Sequence, residues 1–433
     1  MIRSTVARVD LDALKSNFTA IREFVSSGGP EGPPLRTGSG VPQPHRSVRR
    51  GGSSDPPRPP GIAVVKSSDA PRPPGIIAVV KANAYGHGAA PVALALEQAG
   101  ATMLACADIE EGIVLRSAGV RVPILVFGAL SVSDLDGLFE YALTPTISTP
   151  SAARAVQAAA ARRGAAIGYH LKIDTGMNRL GFRHDNLRRT LPELLSSANL
   201  CLEAVYTHFA SADVPESGVF DDQRVNYESA VATVASLSSE NDSRPHFLRH
   251  AANSAATLRD SRVWYDFVRP GLLLYGIVPP PLASTIPLRP VMSLTSRVVA
   301  VKGLRSGEGV GYGWRFTTDV PRTIAVIPAG YADGIDTRLG GRGNVLIRGR
   351  RVPIVGAVSM DMITVDVTGL DDVQPGDEVV ILGRQGSENW QQIDAREVAA
   401  SIGTIPWEVV CRIGTRIERQ YTETGHGDTE APR

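Results

Sequence analysis

Apolar positions along this chain come in two textures. Residues 4 to 10 alternate apolar and polar, the period of a half-buried strand. Leu11, Leu14, Phe18 and Ile21 then recur at helical spacing, with Asp10 or Asp12 placed to cap the helix start. Further on, short apolar runs alternate with helix-like stretches: IIAVVK, TMLAC, PILVF, ALTPTI, GYHLKID, CLEAVYTHF, HFLRH and the segment around FVRPGLLLYG. About eight strands, each followed by a helical or loop segment, predict an α/β fold of the (β/α)8 TIM-like barrel type. An open doubly wound sheet is the alternative, disfavoured because no Gly-rich fingerprint opens a helix after an early strand. From about Pro290 the runs become β-branched and are separated by Gly and Pro, as in SLTSRVVAVKGL, TIAVIPAGY, RVPIVGAVSMDMITVDV and GDEVVIL. That spacing predicts a mostly-β second domain. The expected division is a barrel over residues 1–290 and a β-domain over residues 291–433.

The pattern collapses between Ser26 and about Gly75, where Gly, Pro, Ser and Arg dominate. Such a composition cannot bury enough apolar surface to offset the entropy of ordering, so residues 26–75 are expected to form a disordered insert. The insert holds a near-duplicate: SSDPPRPPGIAVVK ends at Lys66 and SSDAPRPPGIIAVVK ends at Lys81. Only the second copy continues into ANAYGHG, so Lys66 reads as a decoy left by duplication.

Composition narrows the function classes. A chain of 433 residues exceeds one ordinary core. Its 45 basic and 44 acidic residues leave a net charge of +1, with no global field directed at nucleic acid or a membrane. Cys106, Cys201 and Cys411 lie far apart and lack paired ligand spacing, so neither a metal site nor a disulfide framework is expected. The N-terminal stretch lacks the apolar core of a signal peptide and no run approaches a membrane-spanning length, which reads as cytoplasmic.

The chemistry gathers around Ile76–Gly88, where five apolar residues end abruptly in Lys81 and Tyr85 follows four residues later. A lysine at such a strand end is either solvated or a desolvated nucleophile able to link to a carbonyl cofactor. In a barrel, chemistry belongs at the C-terminal strand ends. Lys81, Met177, Arg179, His208, Asn253, Ser254 and Arg269 all fall just beyond an apolar run.

Together with IIAVVKANAYGHG, the stretches LKIDTGMNRLGF, YTHFASAD, RHAANSAATLR, VRPGLLLYG, VGYGWRF, PAGYADG and VSMDM occur in one order. On these motifs the chain resembles the alanine racemases, enzymes of pyridoxal 5'-phosphate built on a barrel plus a β-domain. The resemblance runs from Ser4 to about Tyr421, the insert excepted. It implies racemisation of alanine by two bases, in a homodimer with shared active sites and with D-alanine supplied for peptidoglycan. Lys81 matches the lysine that links the cofactor and serves as base on one face. Tyr312 matches the second base, donated by the partner subunit, whose phenol needs nearby cations such as His208 and Arg269.

Further roles follow from the same resemblance. Arg269 matches the arginine facing the pyridine nitrogen, where a permanent cation cannot accept a proton and so makes the ring a weaker electron sink. His208 orients the network between arginine and tyrosine, with His250 behind it. Tyr85, Asn253, Ser254, Gly271, the backbone at Leu272 and Trp407 match the cofactor contacts. Arg179 and the partner's Met360 main chain match the substrate-carboxylate contacts, with Met177 in support. Lys172 matches a lysine often carbamylated, and Tyr331 and Asp361 match the entryway. Trp407 and Ser359 depart from the commonest pattern, a tyrosine and a cysteine respectively. Two other functions stay open: a racemase preferring serine or a broader set of amino acids, and a non-catalytic cofactor-binding protein, against which Tyr312 and the segment after residue 290 speak.

Overall fold

A barrel forms where the apolar runs are. The computed structural model describes residues 4–29, 73–130, 135–238, 247–387 and 389–423. Eight strands pair in parallel, neighbour to neighbour: Gly75–Val79, Met103–Cys106, Ile124–Val126, Thr144–Ile147, Ile167–Asp174, Leu200–Tyr206, Leu248–Asn253 and Phe267–Arg269. Phe267 then pairs with Gly75, which closes the ring. Helices cover the outside, so a strand such as Gly75–Val79 is buried on both faces from Ile76 onward and reads as a continuous apolar run.

Helix starts follow from short polar side chains. Asp10, not Asp12, caps the Leu11–Ser26 helix by accepting the Ala13 N–H at 2.7 Å. Asp12 sits in the first turn, where a negative charge complements the helix dipole. Thr149 caps Pro150–Arg162 in the same way.

The second sheet is mostly antiparallel. Its order in space is Ala300–Leu304, Arg322–Ile327, Ile363–Asp366, Arg350–Val355, Asn344–Ile347, Glu378–Gln385, Met292–Arg297, Val6–Asp10 and Glu418–Thr422. Asn344–Ile347 is a strand outside the runs read from sequence. Val6–Asp10 lies between two strands of the far end of the chain, antiparallel to Met292–Arg297 and parallel to Glu418–Thr422. The N-terminal strand therefore belongs to this sheet, and a linear boundary at residue 290 does not contain it.

Most of the segment 26–75, including Lys66, lies outside the described residues. Its described edges belong to regular elements: Ser26 ends the first helix and Gly75 begins the first barrel strand. Among the described residues no helix is long and apolar enough to cross a membrane, and no cluster of His, Cys, Asp or Glu has the makings of a metal site.

Candidate active site

Immediately after Val80 the backbone turns left-handed. Ala82, Asn83, Ala84 and Tyr85 all have φ between +52° and +54°. A non-glycine residue in this region costs roughly 1 kcal/mol, so four in succession need support from outside the turn. Glu111 supplies it at one end, its carboxylate accepting the Ala82 N–H at 2.6 Å and the Ala107 N–H at 2.8 Å. His87 Nδ1 lies 3.0 Å from the Ala84 carbonyl and 2.9 Å from that of Tyr85. Arg419 Nε donates to the Gly86 carbonyl at 3.0 Å. Gly86 is required by close approach as well as by its φ of +80°: a Cβ there would lie 2.2 Å from the Val410 carbonyl oxygen.

Lys81 opens this turn at the C-terminal end of the first barrel strand. Burial holds its amine below the usual lysine range, the charge of Arg179 adds to that, and Cys411 and Glu111 oppose it. A lowered pKa increases the fraction of neutral, nucleophilic amine at neutral pH. Lys172, on the Ile167–Asp174 strand, is only 6% exposed. Burial, followed by Arg179 and Arg269, brings it down to about 7. The barrel mouth therefore gathers Lys81, Lys172, Arg179 and Arg269 into one cationic field. Arg179 itself is exposed on the loop after that strand, beside half-buried Met177.

Arg269 is buried, and its guanidinium is fixed by several acceptors. Nη1 donates to His250 Nδ1 at 2.8 Å, while Nη2 donates to the carbonyls of Thr207 and Ala251 at 2.8 and 2.9 Å. His208 Nδ1 is 3.5 Å from Nη2. Burial lowers Arg269 to about 10, which leaves it charged at neutral pH. A guanidinium only donates, so His250 Nδ1 must be an unprotonated acceptor. His250 Nε2 then carries the proton and donates to His170 Nδ1 at 2.9 Å. His250 also stacks on Tyr206 at 4.6 Å between ring centroids. Burial, then Arg269, drives His208 and His250 well below the usual histidine range. His208 is therefore neutral, and the expectation that it lends positive charge to a neighbouring phenol gives way: the permanent cations here are Arg269 and Arg179. Of the two histidines, His250 makes the shorter contact with Arg269, although sequence ranked it second.

Tyr85, Ser254 and Gly271 lie together. Ser254 Oγ accepts the Gly271 N–H at 2.9 Å. A Cβ at Gly271 would lie 2.5 Å from the Tyr85 hydroxyl, so only glycine lets the phenol approach. Burial pushes the Tyr85 hydroxyl up, so it stays a donor. Leu272 begins a 3-10 turn, Leu272–Tyr275, whose first N–H groups have no partner within the turn. No carboxylate belongs to this set, and an amine stands nearby at Lys81: the donors suit a phosphate and the amine suits an aldehyde, the two ends of pyridoxal 5'-phosphate. Asn253 has a structural duty, capping Ser254–Arg259 through the Ala256 N–H. Trp407 is half-buried on the Pro406–Cys411 helix, which packs against the Lys81–Tyr85 turn.

The remaining candidates belong to the β-domain and are open to solvent in the single chain: Tyr312 at 78% exposure, Met360 at 52% and Tyr331 at 46%. Arg416 ties two of their loops together, donating to Asp333 Oδ1 at 2.7 Å and to Asp361 Oδ1 at 2.8 Å. Gly330 completes the junction, since a Cβ there would lie 2.3 Å from the Met360 carbonyl oxygen. Sequence reasoning missed Glu111, His87, His170, Cys411, Arg416 and Arg419. None stands at the end of an apolar run, which was the signal that found Lys81 and Arg269.

Comparison with known proteins agrees with this geometry. The family model of the alanine racemase N-terminal domain matches residues 63–279, and that of the alanine racemase C-terminal domain matches residues 291–421. An alanine racemase of Halothermothrix orenii is 40% identical over 344 residues, covering 79% of this chain and 89% of that protein. One of Carboxydothermus hydrogenoformans is 42% identical over 348 residues, covering 79% and 91%. Among solved structures, alanine racemase from Streptomyces lavendulae has a TM-score of 0.81 at 30% identity, covering 98% of each chain. The enzyme from Bartonella henselae, with covalently bound pyridoxal phosphate, has a TM-score of 0.78 at 26% identity, covering 97% of this chain and 100% of that one.

Proposed function

Because this chain belongs to the alanine racemase family and interconverts L- and D-alanine, we propose that Lys81 and Tyr312 move the α-proton, one on each face of the substrate. Pyridoxal 5'-phosphate, the family's cofactor, would delocalise the negative charge left on the α-carbon. Lys81 would hold its aldehyde end, and Tyr85, Asn253, Ser254, Gly271, Leu272 and Trp407 its phosphate end. Lys81 Nζ takes the proton from one face, helped by the burial that favours its neutral form. Tyr312 Oη delivers a proton to the other face, and the roles exchange in the reverse direction. Arg269 keeps its protons, held by His250 and two carbonyls, so it can orient the cofactor ring without protonating it. Arg179 pairs with the substrate carboxylate, for which its planar donors are matched.

Tyr312 and Met360 act across a homodimer in this reading. Their exposure in the single chain supports it, as does the Arg416 junction that stiffens the Met360 loop without burying it. The product D-alanine is made in the cytoplasm and feeds peptidoglycan synthesis.

The observation that carries the proposal is Lys81: a lysine at a barrel strand's C-terminal end, lowered by burial, among cations and beside a built anion cradle. The first test incubates the protein with pyridoxal 5'-phosphate and L-alanine and follows D-alanine, with Lys81→Ala alongside. We expect product from the unaltered protein alone. Product from Lys81→Ala at a comparable rate would remove Lys81 from the mechanism. Tyr312→Phe should slow kcat unequally in the two directions while kcat/KM falls equally in both, as an equilibrium constant of one requires, and an equal, minor loss of kcat would sink the role given to the phenol.

A further inference from the structure

Between the barrel and the β-domain lies a second cleft, of about 230 Å³, that none of Lys81, Lys172, Arg179 or Arg269 lines. Tyr275, Ile277, Met292 and Val410 give it apolar walls, and His87 and Arg396 reach it from opposite domains. Both of these polar groups are unfinished. His87 is 1% exposed, and its Nδ1 faces the carbonyls of Ala84 and Tyr85, which only accept; Nδ1 therefore carries the proton. Nε2 is left as a lone pair, buried and without a partner. An unmatched buried acceptor costs roughly 1–3 kcal/mol. Burial lowers this histidine to about 4, so it stays neutral at physiological pH.

Arg396 stands in the first turn of the Ala395–Ile402 helix, half-buried, with no hydrogen bond or ion pair among the described residues. The other charged groups facing the cleft are engaged. Asp394 caps that helix through the Glu397 N–H at 2.8 Å, and Arg384 donates to Gln392 at 3.1 Å and lies over Trp390 at 4.7 Å. Two guanidinium groups against one carboxylate leave the rim positive.

We propose that this cleft binds a small carboxylate with an apolar body and a hydrogen-bond donor, the carboxylate on Arg396, the donor on His87 Nε2 and the body against Tyr275, Ile277 and Met292. Its ligand is distinct from the alanine of the barrel mouth, since it touches none of the groups assigned there.

The test is isothermal titration of the cofactor-loaded enzyme with 4-hydroxyphenylacetate, in buffer and again with saturating alanine. We expect saturable binding in both. Phenylacetate, which lacks the donor, and 2-(4-hydroxyphenyl)ethanol, which lacks the carboxylate, should each bind at least roughly tenfold more weakly, about 1.4 kcal/mol. Arg396→Ala should weaken the parent probe by a similar factor while leaving racemisation unchanged. Absence of saturable heat at millimolar probe, displacement by alanine, or equal affinity in Arg396→Ala would each overturn the proposal.

Discussion

At the residue scale, Lys172 states its chemistry most directly. Its amine is buried among Arg179, Arg269 and Lys81 and is lowered to about 7, which leaves a large neutral fraction at physiological pH. A neutral amine attacks carbon dioxide, forming an N–C bond and releasing one proton, and the resulting carbamate would place a negative charge where three cations converge. With ¹³C-bicarbonate near pH 8 we expect a carbamate carbon resonance that disappears in Lys172→Arg; a spectrum without it would leave Lys172 an unmodified amine. The near-complete burial of Lys172 excludes an ordinary solvated surface lysine. Lys81 and Arg269 were legible because each stands at a strand's C-terminal end, and in a barrel such ends converge; Lys172, inside its strand, was legible only through the resemblance. His250 and Arg269 were legible singly but not as a pair, because their contact joins neighbouring strands nineteen positions apart, and no periodicity reports that.

At the scale of elements, the strand Leu200–Tyr206 contains a bulge that its sequence hides. Its pairing with the Ile167–Asp174 strand passes from Tyr169↔Leu202 directly to His170↔Ala204, so Glu203 is the extra residue. The carboxylate folds back over Gly168, where a Cβ would meet Oε1 at 2.1 Å, and its Oε2 is buried without a partner. Burial alone raises Glu203 to about 7. The folded state thus holds this proton more tightly than the unfolded chain, so stability is greatest below the ordinary glutamate range and falls as pH rises through about 7. Glu203→Gln should leave the urea midpoint unchanged near pH 4 and raise it near pH 8, where the unfolding free energy gains about 2 kcal/mol once partial exposure is allowed for. A gain equal at both pH values would mean that the carboxylate's ionisation is not the cause. CLEAVY is apolar enough to predict a strand, but an inserted residue leaves such a run intact and is invisible until a partner is known.

Across the whole molecule, the second domain holds the first domain's reactive turn from behind. Arg419, on the last strand, donates to the carbonyl of Gly86 and also to those of Ile413, Gly414 and Ile417 at 2.8–2.9 Å. Arg419→Ala strips donors from this junction and should lower the unfolding free energy by about 2 kcal/mol, with faster loss of cofactor on dialysis. An unchanged urea midpoint would show that the clasp is replaceable. The two architectures were legible because a run buried on both faces and a β-branched run between turns look different in sequence. The clasp was not, since it depends on how two separately legible halves meet.

The placing of Val6–Asp10 between Met292–Arg297 and Glu418–Thr422 also orders events in time. Synthesis proceeds from the N-terminus, so this strand leaves the ribosome first and finds its last neighbour only when residue 418 and those after it have followed. The barrel strands have all been made by residue 269 and can close while the earliest segment still waits. During that interval its alternating edge is an unpaired template, and the Lys81–Tyr85 turn lacks the arginine that will fasten it. The enzyme is thus completed by its final strand, and a chain halted shortly before that point would hold a finished barrel without a secured active site.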